Sequence, residues 1–208
     1  LAGGSEVYPE GKGLNIPVDL SFAFHSDAGT TLNDSIIGTL GIYYTDAYNG
    51  VFANGASRYL SQDLTDLVQS NIVRDIRNLY EPKWTHRGKW NQSYYEARVP
   101  RVPAMLLELL SHQNFADMRY GLDPRFRFTV SRAIYKGILQ FVCSQNNMDY
   151  VVQPLPVKHM ALRMTNENQI ELSWQPVEDS LEPTAKAEKY IVYTRIGNGD
   201  FDKDRKST

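Results

Sequence analysis

Cysteine is almost missing from this chain: its 208 residues hold one, Cys143. An intrachain disulfide is therefore impossible, and no cysteine-based zinc cluster can form. Cys143 lies inside the apolar helical pattern YKGILQFVCSQ, with no neighbour in sequence that would lower a thiol pKa, so it reads as a buried structural residue. An excess of one charge is missing too. The 22 basic and 24 acidic side chains leave a formal net charge of -2, and the basic ones are scattered. That excludes the positive stripe by which nucleic acid or an anionic membrane surface is held. No apolar run reaches the roughly 18 residues of a bilayer-spanning helix. What is present, 42% hydrophobic and 22% charged, suits a globular domain with a full core.

Both ends read as cut from something longer. The chain opens at Leu1 on the loop sequence LAGGSEVYPEGKGLN and closes on the charged DFDKDRKST. Any targeting segment is expected to lie outside this sequence.

Val18 to Phe24 is a short apolar run with the character of a buried strand, and Ile36 to Thr45, IIGTLGIYYT, is a second. After the turn-rich DAYNGVFANGAS the period changes. Leu60, Leu64, Leu67, Val68, Ile72, Ile76 and Leu79 recur three and four apart, predicting an amphipathic helix that Glu81-Pro82 ends. WTHRGKWNQ reads as exposed loop, SYYEARV as a strand, and AMLLELL, introduced by Pro103, as a compact apolar strand. Asp123 as N-cap and Pro124 at the first helical position open a second long helix over DPRFRFTVSRAIYKGILQFV. Its buried stripe is Val130, Ile134, Ile138, Phe141 and Val142, and Asn146-Asn147 stop it. Strands alternating with long helices predict an α/β layered domain over residues 1–152, its mixed or parallel sheet flanked by helices. Past YVVQPLPVKHM the pattern turns all-β over 153–208: HMALRMTNENQIELSWQPV as two strands around a polar turn, KAEKYIVYTRIG as a third.

Two polar residues interrupt the apolar strands. Glu108 lies between leucine pairs in AMLLELL, where an ionised carboxylate costs several kcal/mol unless a cation, metal or donor compensates it. It reads either as a strand-end residue reaching solvent or as a general base with a raised pKa. His25 ends IPVDLSFAFH, followed at once by Ser26, Asp27 and Gly29. It is either a hydrogen-bonded structural histidine at a turn or a ligand. Strand ends of open α/β sheets are where such folds place their sites, which favours reading the pair together.

In order along the chain, VDLSFAFHSDAG, GTLGIYY, SRYLSQDLTDLVQSNI and VPAMLLELLSHQNFAD resemble four consecutive segments of the zinc-dependent N-acetylmuramoyl-L-alanine amidases. The likeness runs from about Val18 to Phe141. It implies that His25 is a Zn2+ ligand, matching the family's third, and that Glu108 is the catalytic base. The implied reaction is metal-assisted hydrolysis of the amide joining the lactyl group of N-acetylmuramic acid to L-alanine in peptidoglycan. The family's first two ligands, a histidine in a Gly-rich loop and a glutamate on an early helix, have no counterpart before His25. The chain is therefore expected to hold part of an amidase-like domain; the alternative is that His86 or His112 joins His25. LLELLSHQ also departs from the family's Glu-x-Gly-Phe after the base.

IELSWQPV and KYIVYTRIG resemble the second and third strands of a fibronectin type III module, with Trp174, Tyr190 and Tyr193 at its characteristic positions. A partial all-β immunoglobulin-like sandwich is therefore expected, with Trp174 in its core. That pairing implies an extracytoplasmic setting (periplasm, cell envelope or secreted) and peptidoglycan or another cell-envelope glycan as partner. Two other functions remain open: a secreted polysaccharide lyase of the xanthan-lyase kind, its base among 13 tyrosines of which none is marked by context, and a catalytically inactive glycan-binding protein.

Overall fold

The computed structural model describes residues 10–12, 16–165, 169–201 and 206–207. Most of the opening loop, part of the closing tail and the polar turn at 166–168 lie outside the described residues. The chain forms two compact units, 1–149 and 150–208, dividing three residues before the expected boundary.

The first unit is built on a four-stranded mixed sheet in the order β1-β4-β2-β3. Its strands are β1 (Ser21–Asp27), β2 (Thr39–Tyr43), β3 (His86–Asn91) and β4 (Ala104–Ser111). β1 runs parallel to β4, β2 antiparallel to β4, and β3 parallel to β2. AMLLELLS is thus hydrogen-bonded on both edges, as its near-continuous apolar run suggests. Two long helices, α1 (Leu60–Leu79) and α4 (Pro124–Gln145), cover one face. Leu64, Val68, Ile72 and Ile76 of α1 are fully buried against Met105, Leu107, Phe126, Val130 and Phe141. The helices meet closely because Gly137 has no side chain: a Cβ there would lie 2.5 Å from the Cα of Val68. Asp123 caps α4 as expected, accepting from the Arg125 amide at 2.8 Å. Cys143 is free and buried.

Three expectations change. β1 begins later than Val18 and continues through Asp27; it is an edge strand whose Phe24 is exposed, so it is not a buried one. WTHRGKWNQ is not loop: its His86–Asn91 part pairs with β2, although only one partner strand supports it and Gly88 sits at positive φ. SYYEARV is not a strand but holds a single-turn helix, α2 (Tyr95–Arg98). A residue far away in sequence closes it. The guanidinium of Arg58, completely buried, donates to the carbonyls of Ala97, Arg98 and Pro100 at 3.0, 3.1 and 3.2 Å, satisfying the orphan acceptors of that turn. A short helix, α3 (Phe115–Gly121), links β4 to α4.

The second unit, taken by itself, contains an antiparallel hairpin of β5 (Lys158–Met164) and β6 (Ile170–Gln175), and a short ladder of β7 (Tyr190–Ile191) with β8 (Lys206–Ser207). These are two separate two-stranded ladders; the expected sandwich is not formed among the described residues. Trp174 is half-buried, its ring edge-on to Tyr190 with centroids 5.3 Å apart.

One buried charge pair joins the two long helices. Lys136 of α4 places Nζ 2.5 Å from Asp75 of α1, with both side chains at most 3% exposed. Asp75 also accepts from Arg74 Nε at 3.1 Å, so removing Lys136 leaves the buried carboxylate only the more exposed Arg74, whereas removing Asp75 strands Lys136 in a low-dielectric interior. Lys136→Met is therefore expected to destabilise the first unit by about 3 kcal/mol, and Asp75→Leu combined with Lys136→Met to recover most of that loss. Urea unfolding of the single and double variants tests this; equal losses in both would show that the pair is not what holds the helices.

Candidate functional site

The face of the sheet opposite the long helices carries Ala23, Leu106, Leu40 and Ile42 as a small apolar cluster, with α2 packed over β4 and β2. Alternation along each strand puts His25 and Glu108 on this face as well. They are direct register partners in the β1–β4 ladder, and Leu40 lies opposite Glu108 on the other side. The sheet therefore brings the two sequence-predicted residues side by side.

Glu108 is half-buried, and its Oε2 is enclosed without a hydrogen-bond partner among the described residues. Burial raises its pKa above the ordinary carboxylate range, and the negative charge of Asp27 adds to this. His25, Arg87 and His112 pull the other way without reversing the direction. A carboxyl group with a raised pKa and an unengaged oxygen is equipped to accept and return a proton.

The neighbours have defined partners. His25 points Nε2 at the Glu96 carboxylate of α2, 3.4 Å away. Ser26 Oγ lies 3.0 Å from His112 Nδ1. Arg87, on the far edge strand β3, reaches Asp27 and donates from Nη1 to Oδ2 at 2.6 Å. Burial alone would raise the Asp27 pKa; the hydrogen bonds from Arg87 and the Ala28 amide overcome that and leave it lowered. The His-Ser-Asp corner is thus the end of a strand whose three polar side chains each meet a different element.

Arg87, Glu96 and the pairing of His112 were not legible beforehand, because their partners lie 60 to 86 residues away or on a helix read as a strand. His86 does not join His25: it lies beside Arg74, Arg77 and Asn78 of α1, on the helix side of the sheet. His112 does lie near. Catalytic zinc is ordinarily held by three protein ligands. Among the described residues no group of three His, Cys, Asp or Glu is spaced to hold a metal ion. The described residues therefore do not by themselves complete the ligand set that the resemblance implies.

No protein-family model matches the chain. It is 30% identical over 103 residues to the "Probable cell wall amidase LytH" of Staphylococcus epidermidis, an alignment covering 49% of this chain and 34% of that protein. The chain thus spans about a third of that relative's length. Among solved structures it is similar to an N-acetylmuramoyl-L-alanine amidase from Clostridium difficile, with TM-score 0.48, 21% identity, and 62% and 60% of the two chains covered. It is also similar to the amidase Ami1 from Mycobacterium smegmatis, with TM-score 0.48, 19% identity, and 61% and 55% covered.

The raised pKa of Glu108 has a stability consequence with a definite sign. The folded chain holds this proton more tightly than the unfolded one, so the contribution is complete below a free glutamate's pKa. It is lost as pH rises through the raised folded value. In metal-free protein, wild-type stability should decline across that window, and Glu108→Gln should not share the decline. Urea midpoints measured at closely spaced pH values check this; identical pH slopes in the two proteins would contradict it.

Proposed function

We propose that the first unit carries the base and one metal-facing histidine of a hydrolase that cleaves the amide between N-acetylmuramic acid and L-alanine in peptidoglycan. The observation that carries this reading is the register pairing of His25 with Glu108, whose buried oxygen has no hydrogen-bond partner among the described residues. The partial likeness to a cell-wall amidase supports it. Glu108 takes a proton from the water that attacks the amide carbonyl and returns it to the departing amine of alanine. The apolar cluster of Leu40, Ile42 and Leu106 keeps bulk water from the floor beneath it. His25 is the residue we assign to a metal; its Nε2 lies 3.4 Å from the Glu96 carboxylate. Zinc, when bound in such enzymes, lowers the pKa of its water and polarises the carbonyl.

The second unit we read as a fibronectin type III-like module. The β5–β6 hairpin and the edge-on contact of Trp174 with Tyr190 support this. A spacer or glycan-adhesion role and an extracytoplasmic location accompany that reading.

Digestion of purified peptidoglycan by the protein that carries this chain should release new free L-alanine amino termini. Glu108→Gln should lower that rate on the order of a hundredfold or more while zinc content is kept. His25→Ala should lose the zinc, as read by metal analysis. Retained zinc would remove the ligand assignment, and an active Glu108 variant would remove the base. An ultraviolet-absorbing unsaturated sugar from a uronic-acid polysaccharide, without new amino termini, would replace the reading with a lyase. Glycan binding without either product would make it a binding protein.

A further inference from the structure

The face that carries Glu108 also brings an indole to the surface. Trp90 is the register partner of Ile42 in the β2–β3 ladder, and Ile42 is the partner of Leu106 in the β2–β4 ladder. Leu106 precedes Glu108 by two residues, so all four side chains stand on one face. Ile42 and Leu106 are each 1% exposed, whereas Trp90 is 42% exposed. The apolar floor under the base therefore ends in an accessible aromatic ring.

Arg87 lies over that ring, its guanidinium carbon 5.9 Å from the centroid, so a ligand can meet only the part of the indole that remains exposed. Its Nη1 is fixed by Asp27, and the side chain is 21% exposed. Among the described residues the guanidinium makes no other hydrogen bond, which leaves most of its five N–H donors available in a held orientation. The charges around it limit what can bind. Glu108, Asp27 and Glu96 are acidic, and the cation of Arg87 is already matched by Asp27. A polyanion would meet repulsion there. A neutral ligand with an apolar face and acceptor oxygens would not.

We propose that Trp90 and Arg87 form a subsite for a neutral N-acetylated sugar ring beside Glu108. The C–H face of the ring lies on the part of the indole that Arg87 leaves exposed, and a hydroxyl or acetamido oxygen accepts from Arg87. The choice of a glycan as ligand rests on the reading under Proposed function, but binding at the subsite needs no hydrolysis.

A short N-acetylglucosamine oligosaccharide is the probe, titrated into the chain by calorimetry and by NMR of the indole N–H signals. Trp84, fully buried, and Trp174, in the second unit, act as internal controls. The Trp90 signal should shift saturably while the other two stay in place. Glu108→Gln should bind as wild type does. Trp90→Leu should weaken binding about tenfold, Trp90→Phe should keep most of it, and Arg87→Met should weaken it severalfold. The leucine and phenylalanine variants separate loss of the ring face from loss of fold. Wild-type affinity in Trp90→Leu, or an unmoved Trp90 signal at millimolar probe, would overturn the proposal. Failure of the amidase reading would show elsewhere, as peptidoglycan that yields no new amino termini.

Discussion

The position of β4 in the middle of the sheet is the constraint from which the rest follows. A strand hydrogen-bonded on both edges and covered on both faces has no freedom of register, since a slip by one residue would exchange its buried sets. Met105, Leu107 and Leu109 commit one side to the helices, so Leu106 and Glu108 must occupy the other. The hydrophobic effect on one face thus fixes where an acid stands on the opposite face. β1 and β2, paired to the same strand, then place His25 and Leu40 on either side of it.

The two faces are unequal, and that inequality makes room for a site. One is sealed by two helices of 20 and 22 residues; over the other lies α2, of four residues. So short a helix has little stability of its own. Arg58 compensates by tying its last carbonyls to the carbonyl of Tyr44, beyond the end of β2. A second clamp acts beyond the end of β4. The carboxylate of Asp117, wholly buried, accepts from the amides of Ile37, Gly38 and Ser111, joining the loop before β2 to the end of the strand that holds Glu108. Both clamps use one charged side chain to satisfy several backbone groups, which is how irregular backbone survives near a core.

Periodicity made the long elements legible. The apolar spacing of α1, the Asp-Pro start of α4 and the leucine run of β4 are local signals, and each reports an element whose burial is extensive. The failures fall where burial is partial. HRGKWN has no alternation because β3 is an edge strand bearing Arg87 and Lys89, and its identity comes from pairing with β2. YEAR joins three good helix formers, Glu96, Ala97 and Arg98, and Arg58 donates to the carbonyls that end the turn; the aromatic and β-branched residues around them hid that signal. In β3 a tertiary partner outweighs the local preference.

The candidate site divides along the same line. His25 and Glu108 were visible because each is a polar residue inside an apolar strand, where its cost demands an explanation from sequence alone. That they would be register partners, that Asp27 would be held by Arg87 from the far edge strand, and that Glu96 would face His25 were not visible. Those relations depend on strand order, and strand order depends on which faces can be buried together. The residue types determined the chemistry available to this chain; the sheet, by bringing β1, β4, β2 and β3 side by side out of chain order, decided which of them meet.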